Sequence, residues 1–249
     1  MPGIRPALAP ALLLLTTACA AVPAERLGTV PPRSPVTAQE AAKVYPIDVY
    51  DPLEGLNRRV YRFNTVFDRW VFLPVAGGYQ RAVPDPARRS VGNFFRNLGE
   101  FRNGLNGALQ ARGEVFRIAL ARLVVNSTVG VLGVFDVATR YGIPEHREDF
   151  GQTLGWWGVP PGAYLVLPVL GPSDVRDAGG TAADTAATGA IPGVSTVFAT
   201  VYFDPAIYGL YAVDQRSQIP FRYYRSGSAF EYDLVRFLYT QKRRLDVAR

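Results

Sequence analysis

From Leu53 the apolar residues recur in steps of three and four: Leu53, Leu56, Val60, Phe63, Phe67 and Trp70. Arg58, Arg59, Arg62 and Arg69 fall off that stripe. The period predicts an amphipathic helix. Its opening, Asp51-Pro52-Leu53-Glu54, sets Asp at the N-cap, Pro at N1 and Glu at N3, an Asp-led capping box. On this reading Asp51 serves stability alone, and Asn or Ser would replace it. The same opening recurs at Asp85-Pro86 and Asp204-Pro205. Ser173 after Pro172, and Ser228 with Glu231 three places on, give two further starts. From Ser228 to about Lys242, Phe230, Leu234, Phe237 and Leu238 share one face. Strand-like alternation is scarce; Tyr164 to Leu170 carries it best, and Pro168 argues against a strand there. The body is therefore expected to be all-α, with six or seven helices joined by Gly/Pro loops.

Two segments break the pattern. Val115 to Val125 is apolar nearly all round, interrupted by Arg117 and Arg122. It leads into Val129, Gly130, Val131, Leu132, Gly133, Val134 and Phe135. An element apolar on every side is buried in protein or in lipid. Gly130 and Gly133 indicate a chain that turns back, leaving two readings: ordinary core, or a loop that dips into or lines a lipid path. Phe150 to Gly162 is dense enough in Gly and Pro to argue against a regular helix. Its adjacent Trp156 and Trp157 read as core plugs or as interfacial anchors. Beyond Ser173, the small residues Gly179, Ala182, Ala183 and Ala186 form a stripe that permits close helix packing.

The N-terminus has a different character. Arg5 supplies a positive start and Ala7 to Leu15 a short apolar run, and small residues lead to Cys19, the pattern of an export signal. The run is shorter than the roughly 20 residues of a spanning helix. Cys19 is the single cysteine and follows Thr16-Thr17-Ala18, a lipobox with its Leu one place early. Lipidation of Cys19 is the expectation; an ordinary signal with an incidental cysteine is the alternative. Each acyl CH₂ buried in a membrane contributes about 0.8 kcal/mol, so several chains anchor firmly. Residues 1–18 are thus read as a lipoprotein signal peptide and 19–46, rich in Pro, Ala, Val and Thr, as lipidated N-terminus and flexible tether. Residues 47–249 form the helical domain.

Composition bears on function more than on fold. The 249 residues are 48% hydrophobic and 19% charged, enough to bury a core. A net charge of +6 suits an anionic membrane, nucleic acid, or simply a solvated basic surface. The basic residues are scattered apart from Gln241-Lys242-Arg243-Arg244 and sit in no nucleic-acid-binding motif, so no nucleic-acid partner is expected. One cysteine and one histidine, His146, make neither an intrachain disulfide nor a histidine metal cluster. Pro144 to Asp149, the titratable run that contains His146, reads as solvated surface. No Gly-x-Ser-x-Gly elbow, phosphate loop or HExxH helix is present. The expectation is a protein without catalytic residues, metal or cofactor.

These segments, in this order, resemble the MlaA (VacJ-like) lipoprotein family. The likeness begins at Asp51-Pro52-Leu53-Glu54-Gly55-Leu56-Asn57-Arg58 and runs through Tyr61 to Asn64. It resumes at Asn93-Phe94, Asn97-Leu98, Asn126, Gly130 and Phe135-Asp136-Val137-Ala138. It is densest from Phe150-Gly151-Gln152-Thr153-Leu154-Gly155 through Gly162, Leu167-Pro168 and Gly171 to Arg176-Asp177 and Gly179-Gly180. It covers about Asp51 to Tyr211. The resemblance implies a helical ring in the inner leaflet of the bacterial outer membrane, enclosing an amphipathic channel. Through that channel mislocalised phospholipid leaves the outer leaflet, which maintains lipid asymmetry. It also implies a trimeric porin beside the ring, a soluble periplasmic lipid carrier, and an inner-membrane ABC transporter. Val129 to Phe135 then become candidates for the lipid path, and Trp156 and Trp157 for interfacial anchors. A purely structural or assembly lipoprotein would share the anchor and helices without needing the apolar Val129 to Phe135 segment.

Overall fold

A helix does follow Asp51, but not by way of the predicted cap. The computed structural model describes residues 49–190, 204–225 and 230–249, all within the unit Tyr45–Arg249. The expectations for the signal peptide, the tether, Cys19 and Ser228 lie outside the described residues. Helix α1 (Glu54–Phe67) has Leu53 at its N-cap and no side-chain cap bond. Asp51 instead accepts hydrogen bonds from Tyr232 Oη at 2.5 Å, Asn57 Nδ2 at 2.7 Å and Arg236 Nη1 at 3.1 Å. Glu54 pairs with Arg58 at 2.6 Å. Bonds that include a charged donor outweigh the one backbone N–H a cap would satisfy.

One widened π turn, Asp68–Phe72, joins α1 to α2 (Leu73–Ala82). It ends two residues before Pro74, which lacks the N–H for an i−4 bond and crowds the carbonyl of Trp70 in a regular helix. Next come α3 (Asp85–Leu109), α4 (Gly113–Thr128), the single turn α5 (Val137–Arg140) and α6 (Phe150–Trp156). A two-stranded antiparallel hairpin follows, β1 (Tyr164–Leu167) and β2 (Gly171–Asp174), then α7 (Val175–Ala190), α8 (Pro205–Gln218) and α9 (Glu231–Ala248). With α1–α2 taken as one rod and α5 set aside, the described residues form seven helices, and the fold is all-α apart from the hairpin.

Several local expectations are corrected. Pro84, not Asp85, is the N-cap of α3, whereas Asp204 caps α8 through the N–H groups of Ala206 and Ile207. Ser173 lies in β2; the start of α7 is secured by Asp174, which accepts from the Asp177 N–H at 2.8 Å. Pro168 stands one residue past β1, in the turn, so Tyr164–Leu167 pairs unhindered. Asn57 and Asn64 of α1 extend this small sheet. Asn57 donates to Tyr164 O and accepts from Val166 N, and Asn64 does the same with Leu167 O and Val169 N, all at 2.7–2.9 Å. The glycine-dense segment is helical over Phe150–Trp156 because Asp149 caps it, accepting from the Gln152 N–H. Gly179, Ala182 and Ala186 face outward; the close approach is made by Gly180, where any Cβ would strike the backbone of Gly151.

The amphipathic faces point opposite to those of a water-soluble protein. On α1 the buried residues are Asn57, Tyr61 and Asn64, while Leu56, Phe63 and Val66, with Leu53 before the helix and Trp70 in the π turn, are exposed. On α9, Glu231, Tyr232, Arg236 and Arg243 are buried and Phe230, Leu234 and Leu238 exposed. Among the described residues, nine hydrophobic side chains are buried against twenty-three polar or charged ones, the reverse of a soluble core. Among the described residues the conventional apolar cluster is Tyr61, Tyr164, Val166 and Tyr232, whose tyrosine rings meet edge to face. Neighbouring elements close a circuit: α1 packs on β1, β2 on α9, α9 on α6, α6 on α3, α3 on α8, α8 on α2, and α2 returns through the π turn to α1.

Candidate functional site

Arg122, one of the two charges in the apolar run, organises the region that carries the candidate lipid path. Its side chain is 1% exposed, as is that of its partner Glu100. Arg122 Nε donates to Glu100 Oε1, Nη1 to Ile143 O at 2.6 Å, and Nη2 to Asp136 at 3.3 Å. Asn126 completes the junction, donating to Asp136 and accepting from the Ala138 N–H at 2.8 Å. Asp136 in turn caps α5 through the Thr139 N–H. Within this junction Arg122, Glu100, Asn126 and Asp136 are each met by another polar group, as burial requires.

On this base stands the turn Val129 to Phe135. The chain reverses through three successive left-handed residues, Val131, Leu132 and Gly133, with φ of 52°, 57° and 89°. The reversal is held by Gly133 N to Asn126 O at 2.7 Å and Phe135 N to Gly130 O at 2.9 Å. Gly130 and Gly133 are buried; a Cβ on Gly133 would strike Asn97 of α3. Val129, Val131, Leu132 and Phe135 are exposed and Val134 is half-buried. A β-branched residue in the left-handed region is strained. The apex thus presents apolar side chains outward on a constrained backbone. It continues the exposed face of α4, where Phe116, Leu120 and Val124 point away from Arg122.

Trp156 and Trp157 are 49% and 54% exposed, so neither plugs the core. Trp157 Nε1 donates to Leu109 O at 3.3 Å, and the Arg112 guanidinium lies 5.9 Å from the Trp156 ring. These contacts place the tryptophans beside the α3–α4 connection, whereas the apolar turn follows the far end of α4. The structure does not bring the two candidate features together: 16 residues of α4, about 24 Å of helix, separate them.

The run Pro144 to Asp149 is not uniformly solvated. Glu145 and Arg147 are exposed, but Glu148 is buried and accepts from Arg112 at 2.8 Å. Burial works to raise the Asp149 pKa, yet the two bonds from Arg243, each 2.8 Å, hold it far below the usual carboxylate range. Arg243 also grips Asp177 at 2.5 Å, so this member of the basic C-terminal run is framework and not solvated surface. Among the described residues no group of His, Cys, Asp and Glu is placed to hold a metal, and no helix is long and apolar enough to cross a membrane.

A sequence model of the family described as MlaA lipoprotein matches residues 49–246. The chain belongs to this family. It is 39% identical over 138 residues to the intermembrane phospholipid transport system lipoprotein MlaA of Escherichia coli K12, covering 54% of this chain and 55% of that one. An uncharacterised protein of Rickettsia felis is 39% identical over 131 residues, covering 53% and 52%. The chain thus spans about half the length of the curated relatives it matches. A solved structure described as the structural basis for maintenance of bacterial outer membrane lipid asymmetry superposes with a TM-score of 0.67 at 30% identity. The match covers 80% of this chain and 100% of that one. Among the residues that carry the family likeness, Asn57, Asn64, Asn97, Asn126, Asp136 and Asp177 belong to the inward polar framework. Sequence reasoning missed Glu100 and the roles of Arg122 and Arg243. For Arg122 the available signal was a charge inside an otherwise apolar helix.

Proposed function

We propose that this chain is an outer-membrane lipoprotein of an intermembrane phospholipid transport system. In this reading it lies in the periplasmic leaflet, anchored through Cys19, and removes mislocalised phospholipid from the outer leaflet. The lipid passes through an amphipathic channel enclosed by the circuit of helices and is handed to a soluble periplasmic carrier. A trimeric porin beside it and phospholipid as cargo complete the assembly. The protein transports and does not catalyse.

The observation that carries this reading is the inverted polarity: buried Asn, Glu and Arg inside, and Leu, Phe, Val and Trp outside. A lipid crossing a leaflet needs its headgroup in polar surroundings and its tails in apolar ones. Helices apolar outward and polar inward, closed on themselves, meet both needs where a soluble core meets neither. The exposed turn Val129 to Phe135, at one end of the apolar face of α4, is assigned to the lipid path, and Trp156 and Trp157, at the other end, to the interface.

Val131→Asp tests this assignment. A charge at a lipid-facing site costs about 2.5–3.5 kcal/mol, whereas in detergent the exposed side chain has no buried neighbour to lose. The variant should unfold in detergent like the parent, yet clear outer-leaflet phospholipid poorly in cells and carry less co-purified phospholipid. Normal clearance by a folded variant would remove the turn from the path. A parent that carries no phospholipid would favour the structural-lipoprotein alternative.

A further inference from the structure

A second polar feature lies one side chain away from the apolar turn. Between the end of α2, the first turns of α3 and the last turn of α8 is a cavity of about 330 Å³. That is within the range of small-ligand sites, about 300–1,000 Å³. Arg88, Gly92 and Arg96 stand four residues apart on α3, Arg89 adjoins them, and Asp214 and Gln218 of α8 form the facing wall. Gly92 keeps the space open on the α3 side: a Cβ there would stand 2.9 Å from Gln218 Nε2.

The three arginines are not equally engaged. Arg88 is spent on the fold, donating to Gln80 O at 2.6 Å, to Val83 O at 2.8 Å and to Asp85. Arg89 has no ion pair or hydrogen bond among the described residues and is exposed at the rim. Arg96 bonds Asn93 through Nη2, but its Nε is buried without a partner. On the opposite wall the Asp214 carboxylate already accepts from Gln218 at 2.7 Å and Tyr79 at 3.1 Å. Burial raises its pKa above the ordinary value, which weakens its opposition to an anion. Two guanidiniums with donors to spare, a third that adds charge, and a vacant volume suit a tetrahedral oxyanion. Asn93, which accepts from Arg96, also donates to Val134 O at 3.0 Å, so the cavity is coupled directly to the apolar turn.

We propose that this cavity binds a phosphate group, held by Arg89 and Arg96 with Arg88 as supporting charge. The group is that of a lipid headgroup or of free phosphate. The inference rests on the transport reading only for the first of these sources.

The test is calorimetric titration of the full chain in detergent with three probes: inorganic phosphate, dihexanoylphosphatidylglycerol, and dihexanoylglycerol, which lacks the phosphate. The parent is compared with Arg89→Ala and Arg96→Gln. Each variant should weaken a phosphate-bearing probe on the order of tenfold or more and leave the phosphate-free probe unchanged. Tighter binding of the short-chain lipid than of phosphate identifies a headgroup site; equal binding identifies a phosphate site. Equal affinity in parent and variants, or no binding of either phosphate-bearing probe by the parent, overturns the proposal. Should Arg96→Gln fail to fold, the exposed Arg89 decides alone. A parent that carries co-purified phospholipid but shows no arginine-dependent binding refutes this site and leaves the transport reading standing. Arginine-dependent phosphate binding by a protein that neither carries nor clears phospholipid does the reverse.

Discussion

The Arg122 region and the tyrosine cluster are both buried, yet they are held together by different physics. Around Arg122 the interior is ionic and amide-lined, and the apolar residues of α4 look outward. Around Tyr61, Tyr164 and Tyr232 the rings pack edge to face, and the hydroxyls of Tyr61 and Tyr232 are anchored at the margins. Tyr61 Oη donates to Glu231 at 2.9 Å and Tyr232 Oη to Asp51 at 2.5 Å. In the first region geometry depends on every charge keeping its partner. In the second, apolar burial supplies part of the stability whatever happens to one hydrogen bond. The difference teaches where this protein tolerates change: a chain that turns its hydrophobic faces outward must build the opposite side from paired polar groups.

The largest expected effect lies in the ionic region. Arg122→Met strands Glu100 without its cation and should cost about 3–5 kcal/mol in denaturant unfolding. Adding Glu100→Gln should recover much of that loss. A single variant no worse than a surface substitution, about 0.5 kcal/mol, would place Arg122 outside the framework.

At the edge of the tyrosine cluster the effect should be smaller. Asp51→Asn removes the charge that Arg236 and Tyr232 share, for a loss of about 1.5–3 kcal/mol. This reverses the capping expectation, under which Asn restores stability. Parental stability in Asp51→Asn would return the residue to a simple capping role.

The smallest effect is expected beside the tyrosine cluster, at the start of α7. Tyr239 packs its ring on Tyr164 and donates to Asp177, whose neighbour Asp174 starts α7. Burial foremost, together with the Asp177 charge, pushes the Asp174 carboxyl up to about 6, against the opposing Asp177 N–H bond and Arg176. A folded value above the unfolded one means stability gained as pH falls through about 6 and fully present below the unfolded value, about 4. Asp174→Asn, which keeps the acceptor for the Asp177 N–H, should therefore melt above the parent near about pH 8, keep about half of that advantage near about pH 5 and lose most of it near about pH 4. A constant difference across that range would show that Asp174 stays ionised in the fold.

By itself the sequence determined the helical class, the apolar stripes and the family, because side-chain periodicity and motif order are local properties of the chain. Leu53 to Trp70 reads as one stripe whatever surrounds it. Asp204 caps α8 as expected because no tertiary partner competes for it among the described residues. Only the tertiary structure decided which way each stripe faces. Helical periodicity is symmetric between a face turned to a core and a face turned to lipid, and the choice rests on what polar partners arrive from far away. Glu100 reaches Arg122 across 22 residues, Asp149 reaches Arg243 across 94, and Asp51 reaches Arg236 across 185. The same long reach took Asp51 from its cap. A carboxylate binds the strongest donors that the folded chain brings to it, and here those donors lie far along the chain.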